Sequence, residues 1–223
     1  MNLKGARVLV PGATGAIGGA LAERLHAHGA RPAVAGRDPV ALDRIAAACG
    51  GAPARRFDAY DLGRCADTVT WAADALGGLD AVVVCVGVPA FGPAASVDDA
   101  TAEHLFTVNA LAPMAFLRAA LPVVSPRGVL AAVTGTVVDL LPAGMADYAA
   151  AKAALAAWLA AARRERRHTG PAVLDVRLPH VASGFAERAV VGRPPALPHG
   201  WTVQRAVDTT VDALVTARAA GHD

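Results

Sequence analysis

Tyr148 and Lys152, four residues apart, are the pair in this chain best suited to acid–base chemistry. On a helix that spacing puts both side chains on one face, a turn apart. The segment Ala149 to Ala162 favours a helix, being almost wholly Ala, Leu, Lys and Trp, with no Gly or Pro. A free phenol titrates near pH ~10 and is a poor acid or base at neutrality. An ammonium beside it favours the phenolate, so Lys152 is expected to lower the Tyr148 pKa. Such a pair exchanges a proton with a carbonyl or alcohol oxygen. A solvated surface pair has the same spacing, so the choice between the two rests on what the rest of the chain builds around it.

The chain has 223 residues, 54% of them hydrophobic and 4% aromatic, which suits a single α/β domain with alanine-rich helices packed on a sheet. A net charge of +2 points to neither nucleic acid nor membrane as partner. Cys49, Cys65 and Cys85 are scattered without a C-x-x-C pair, so neither a disulfide framework nor a metal site is expected. The first strand begins almost at Met1 and no uninterrupted apolar run reaches spanning length. The expected setting is a reducing cytoplasm.

The apolar run Ala6 to Val10 predicts a first buried strand. It breaks at a glycine turn, Pro11-Gly12-Ala13-Thr14-Gly15-Ala16-Ile17-Gly18, before a helix with Ile17, Leu21 and Leu25 on one stripe. Strand, glycine turn and helix are the context of a dinucleotide fingerprint. There Gly12 allows the tight turn, Gly15 the approach of a pyrophosphate and Gly18 close helix packing, while the helix start supplies N–H groups to phosphate. Thr14, Ala16 and Ile17 belong to the same turn. A second strand, Arg31 to Ala35, ends at Arg37 and Asp38. Asp38 precedes Pro39 and is expected to cap a helix over Val40–Ala48. That leaves Arg37 for a ribose 2′-phosphate, favouring NADP(H) over NAD(H).

Ala54 to Phe57 predicts a third strand, followed by Asp58 and Ala59 where a carboxylate would meet the adenine amino group. Asp61 is expected to cap a helix over Leu62–Leu76. Leu79 to Val86 reads as a central parallel strand covered on both faces, ended by Gly87 beside the cofactor. Ser96 or Asp98 caps a helix from Asp99 to Leu121. Asn109 sits in its middle among apolar neighbours, which needs either a satisfied core amide or a site role. Pro113 is expected to kink this helix near Asn109. Gly128 to Val133 and Ala172 to Leu178 are the fifth and sixth strands. Pro179, His180, Val181 and Ser183 follow the sixth. Residues 184–200 are too irregular for a core element and read as a substrate lid. A last helix runs from Val203 to about Ala219, and Arg163 to Arg167 form a dipole-matched helix end.

Taken together the chain resembles the short-chain dehydrogenase/reductase family over essentially its whole length. The spacing of Gly12, Gly18, Asp58, Gly87, Asn109, Tyr148 and Lys152 carries the resemblance. It implies a doubly wound parallel sheet of Rossmann type with helices on both faces. It implies that Tyr148 is the acid and base, that Lys152 binds the nicotinamide ribose and tunes Tyr148, and that Asn109 holds a water in a proton relay. By the same resemblance Pro179, Val181 and Ser183 line the cofactor, and the molecule is a homodimer or homotetramer built on the Asn109 and Tyr148 helices.

Three positions depart from the family pattern. Ala16 replaces a glycine in the phosphate turn, and Val84-Cys85-Val86-Gly87 stands where Asn-Asn-Ala-Gly is usual. Gly135 occupies the place of the serine that gives a second hydrogen bond to the substrate oxygen. Thr134 and Thr136 flank it and are candidates for that role, although alternation in an extended chain points both away from the direction of residue 135. His180 is a further candidate. The sequence therefore supports two activities: an NADP(H)-dependent reductase or dehydrogenase, and a relative that keeps the nucleotide but does non-redox chemistry or senses it. Phe185, Leu197 and Trp201 in and beside the lid suggest an apolar small-molecule substrate, while Arg188 and Arg193 would suit an acid.

Overall fold

The computed structural model describes residues 3–166, 170–196 and 199–219. Leu197 and Arg167 lie outside these residues. Six parallel strands form one sheet in the order β3-β2-β1-β4-β5-β6. They are β1 (Arg7–Pro11), β2 (Arg31–Gly36), β3 (Ala54–Arg56), β4 (Leu79–Val84), β5 (Val124–Val133) and β6 (Ala172–Val176). Chain order reverses direction between β1 and β4. The crevice at that switch point, outside the strands' C-terminal ends, is where ligands bind in open α/β sheets.

Helices cover both faces. On one side lie α1 (Ala16–Ala27), α2 (Pro39–Ala48) and α8 (Val203–Ala219), which bury Leu21, Leu25, Ile45 and Leu214 against Val8, Val10, Ala81 and Val83. On the other lie α3 (Leu62–Leu76), α5 (Ala112–Ala120) and α7 (Ala146–Glu165), which bury Val69, Phe116, Leu155 and Leu159 against Leu9, Val82, Val84 and Leu130. Successive strand residues thus face opposite cores, so the central strands are apolar throughout. A third, smaller cluster at the C-terminal end of the sheet gathers Phe91, Leu105, Met145, Tyr148 and Ala186.

Local chemistry sets the helix starts. Asp38, Asp61 and Asp98 each accept the backbone N–H three residues ahead, at 3.1, 2.8 and 2.7 Å. Asp98 rather than Ser96 is therefore the cap of α4 (Asp99–Phe106). The single helix expected over Asp99–Leu121 is divided: a π turn, Thr107–Leu111, separates α4 from α5. Pro113 lacks an N–H for the carbonyl of Asn109, so the ladder widens there rather than breaking. Strand ends also differ from expectation. β5 begins earlier, at Val124, because its pairing with β4 shifts register between Leu79 and Ala81 and carries Pro126 through. β6 ends at Val176, although bonding to the chain after β5 runs on, with Thr134 N–H on Val176 O at 3.1 Å and Thr136 N–H on Leu178 O at 2.9 Å. Between β5 and α7 a short helix, α6 (Val137–Leu140), fills what reads in the sequence as a connection. No helix among the described residues is long and apolar enough to cross a membrane.

Candidate active site

The glycine turn after β1 wraps the start of α1. Gly12 has a φ of +89°, and a Cβ on it would lie 2.7 Å from the Cys85 carbonyl carbon. A Cβ on Gly18 would run into the Gly12 carbonyl. The turn is thus pressed between β4 and α1, with no room for side chains. Gly15 is the N-cap of α1 and offers no capping side chain. The first N–H groups of the helix, from Ala16, Ile17 and Gly18, are left facing outward for an anion. The Thr14 side chain lies over Gly36 at the end of β2, where a Cβ would collide with it. The turn therefore presents mostly backbone between the ends of β1 and β2.

Arg37 is exposed just beyond β2, and Asp58 is exposed beyond β3. The Asp58 carboxylate accepts Tyr60 N–H at 3.0 Å, which fixes this turn and leaves its second oxygen for a ligand. Ala59 beside it is half-buried.

Asn109, Gly87 and Lys152 meet under the C-terminal end of β4. Asn109 is fully buried. Its Nδ2 donates to Val88 O and Leu105 O, both at 2.9 Å, and its Oδ1 accepts from Val88 N–H at 3.1 Å. The mid-helix amide thereby clamps the loop after β4. A Cβ on Gly87 would lie 2.9 Å from Asn109 Oδ1 and 3.0 Å from Lys152 Nζ, so only a bare backbone passes between them. With its amide saturated by protein partners, Asn109 acts first as a brace for Gly87.

Lys152 is 3% exposed and Tyr148 8%. Lys152 Nζ donates to Val133 O at 3.1 Å and Val86 O at 3.4 Å, the carbonyl ends of β5 and of the β4 loop. An ammonium has three protons, so one remains for a ligand. Burial pushes Lys152 down to about 8, opposed by Cys85 and Asp175. Burial also pushes the Tyr148 phenol up. This corrects the expectation that Lys152 lowers the Tyr148 pKa. Lys152 is drawn to strand carbonyls, and the dry surroundings favour the neutral form of both groups. The Tyr148 hydroxyl has no hydrogen-bond partner among the described residues, so it is open to a substrate oxygen. Its ring lies 6.3 Å from that of Phe185.

The hydroxyl donors near Gly135 separate. Thr134 is buried, and its Oγ1 is hydrogen-bonded to the Asp175 carboxylate on β6. It is not available to a substrate, which corrects its candidacy; alternation in β5 turns it beneath α7. Asp175 is in turn held by Arg177 Nε at 2.8 Å, and Arg177 also pairs with Asp139 on α6. Thr136 is half-buried at the start of α6, and its hydroxyl has no protein partner among the described residues. Gly135 between them has a φ of +111°, a region that admits glycine alone at low cost.

The chain after β6 runs from Pro179 to a bridge between Val181 and Trp201. Val181 is buried, and Ser183 N–H bonds Val181 O at 2.8 Å. His180 is half-buried against Gly200, whose Cβ would lie 2.8 Å from the imidazole. The segment expected to be a lid lies against the loop after β4: Phe91 N–H bonds Val191 O and Val190 N–H bonds Pro89 O, both at 2.9 Å.

The family model for short chain dehydrogenase matches residues 6–192. The chain belongs to this family. No curated protein matches it. Among solved structures, a Thermus thermophilus protein described as a short-chain oxidoreductase is 30% identical, with a TM-score of 0.79 over 93% of this chain and 95% of that one. A short chain dehydrogenase from Burkholderia cenocepacia, solved in complex with NADP, is 24% identical, with a TM-score of 0.85 over 96% and 92%. BdcA in complex with NADPH is also 24% identical, with a TM-score of 0.83 over 95% and 87%.

Three features of this chain escape the sequence. Arg56 reaches the Arg37 turn, its Nε donating to Arg37 O at 3.2 Å; two adjacent arginines ending a short strand were the available signal. Asp175 occupies an inward strand position, a placement that only the β5–β6 register reveals. The docking of Val190 and Val191 onto Pro89 and Phe91 leaves no trace in periodicity.

Proposed function

We propose that this chain is an NADP(H)-dependent oxidoreductase that interconverts a carbonyl and a secondary alcohol, with Tyr148 as general acid and base. The observation that carries this reading is Tyr148, a buried residue whose hydroxyl has no partner among the described residues and lies on the helix one turn from Lys152. The glycine turn, exposed Arg37 and the nucleotide complexes of the Burkholderia protein and BdcA support it. Gly12, Thr14, Gly15, Ala16, Ile17 and Gly18 would hold the pyrophosphate, Arg37 the 2′-phosphate, and Asp58 with Ala59 the adenine. Gly87, Lys152, Pro179, Val181 and Ser183 would line the nicotinamide end. When bound, the cofactor supplies or accepts the hydride.

The chain's own work is proton transfer and positioning. The phenol, kept neutral by burial, donates its proton to the substrate oxygen in reduction. Lys152 holds its ammonium one turn away, against the carbonyls of Val86 and Val133, and keeps one proton for the ribose. Asn109 fixes Gly87 so that the loop does not fall onto Lys152. Thr136 is the remaining candidate for a second donor.

A second reading, non-redox chemistry or nucleotide sensing on the same fold, is favoured by Gly135. Its φ of +111° strains any serine placed there, at a cost of about 1–3 kcal/mol, although a Cβ would meet nothing nearer than Leu178 O at 3.4 Å. The deciding experiment follows NADPH oxidation by wild type and Tyr148→Phe over simple and cyclic ketones, with NADP+ binding measured on both. The expected result is a loss of about 10²–10⁴-fold in the variant with binding retained. Unchanged turnover in the variant removes Tyr148 from the mechanism, and binding without turnover of any ketone favours the second reading.

The proposal includes a small-molecule substrate, no nucleic-acid or membrane partner, a cytoplasmic setting and a homodimer or homotetramer. Ala150, Ala157 and Ala160 are exposed on α7. Beside them lies an apolar hollow of about 480 Å³, lined by Leu141, Pro142, Ala149 and Ala150. Exposed Leu140 flanks it. This is a surface that such an assembly would cover.

A further inference from the structure

We propose that Arg56 is the second arm of a two-arginine clamp for the ribose 2′-phosphate, acting beside Arg37. The inference rests on the NADP(H) reading above and names a residue that sets nucleotide preference within it. The β2–β3 ladder pairs Gly36 with Arg56, so the end of β3 lies alongside the turn that carries Arg37. Arg56 Nε donates to Arg37 O at 3.2 Å, which anchors the root of the guanidinium and leaves its terminal nitrogens for a ligand. Side chains alternate along a strand, and Arg55 accordingly goes elsewhere: its guanidinium sits 5.6 Å from the Trp71 ring and bonds Asp67 O.

Among the described residues neither Arg37 nor Arg56 has a carboxylate partner, whereas Arg7, Arg24, Arg64 and Arg177 each do. The carboxylates of Asp38 and Asp58 bond Ala41 N–H and Tyr60 N–H, and neither forms an ion pair with Arg37 or Arg56. Two arginines on adjoining segments, one side chain hydrogen-bonded to the other's main-chain carbonyl and neither paired with a carboxylate among the described residues, form a site for an anion. A phosphate monoester carries about −1.5 to −2 charge near pH 7 and presents three acceptor oxygens. The planar guanidinium forks match that geometry. Gly36, beside Arg37, is covered by the Thr14 side chain, which brings its hydroxyl to the same turn.

The test measures dissociation constants of NADP+, NAD+ and 2′,5′-ADP by titration calorimetry. The proteins are wild type, Arg37→Ala, Arg56→Ala, Arg56→Lys and, as a control, Arg55→Ala. Arg56→Ala is expected to weaken NADP+ and 2′,5′-ADP by about tenfold to a hundredfold, the loss of one or two charge-assisted hydrogen bonds, with NAD+ unchanged. Arg56→Lys should recover part of the loss, since it keeps the charge without the fork. Arg55→Ala should match wild type. The clamp is overturned if Arg56→Ala weakens NAD+ as much as NADP+, which would make Arg56 a prop for the turn. It is equally overturned if Arg37→Ala alone loses NADP+. Wild type that binds neither dinucleotide, or prefers NAD+, refutes the cofactor reading itself, and that outcome is visible before any variant is made.

Discussion

At the scale of single residues, the burial of Lys152 makes the site sensitive to pH. Its pKa falls from an ordinary 10.5 to about 8, with Cys85 and Asp175 the charged or titratable groups that oppose the fall. Below about 8 the folded and unfolded chains both carry this proton, and the folded one bears the cost of a buried charge. Between about 8 and 10.5 the unfolded chain keeps its proton while the folded chain releases it, so stability rises with pH. Tyr148 acts in the opposite sense at higher pH. Its raised pKa means that the unfolded chain ionises first, above an ordinary 10.0, and stability falls. Lys152→Met removes the buried charge. Its stability relative to wild type is therefore expected to be most favourable at pH ~7 and to shrink by up to about 3 kcal/mol by pH ~10, since each pKa unit is worth about 1.4 kcal/mol. Urea midpoints at the two pH values measure this. An unchanged gap would place the ammonium in water.

At the scale of elements, the π turn between α4 and α5 is the device that makes the site. It brings Asn109 to face the chain after β4 rather than the helix core, and its amide then replaces backbone pairing that the loop cannot make. Asn109→Ala leaves Val88 N–H, Val88 O and Leu105 O without their partner. The expected cost is about 2–3 kcal/mol in urea denaturation, with faster hydrogen exchange at Val88. Exchange at Val88 as slow as in wild type would show that the loop is held by packing alone. The caps at Asp38, Asp61 and Asp98 were legible because an N-cap is a contact within four residues. The clamp was not, because its two halves are 21 residues apart in sequence.

At the scale of the whole molecule, the C-terminal ends of the strands are closed by two crossing segments. The chain around Ala186 to Val191 lies on Pro89 and Phe91, and Phe91 is 3% exposed in the cluster that also buries Tyr148. The Tyr148 ring thus packs in the same cluster as Ala186 of this strap. Phe91→Ala removes its main apolar seat. Trypsin cleavage at exposed Arg188 is expected to accelerate about tenfold or more in the variant. That acceleration should exceed what the accompanying fall in global stability explains, because local opening is coupled to fewer contacts than unfolding. Cleavage that tracks global stability alone would mean that the strap does not open independently.

The strands, the helices and their order are legible in the chain alone, because apolar period, capping residues and glycine turns are local signals. So is the set of residues that stand at the strand ends: Gly12, Arg37, Asp58, Gly87, Tyr148 and Lys152 all lie there in the structure. What those residues do to one another follows from the packed fold. Lys152 turned to the carbonyls of Val86 and Val133 and left Tyr148 neutral, since desolvation depends on everything packed around the pair. Strand register paired Thr134 with Asp175 and Arg56 with the Arg37 turn. Register is set by the pairing of distant strands, and no window of neighbouring residues contains it.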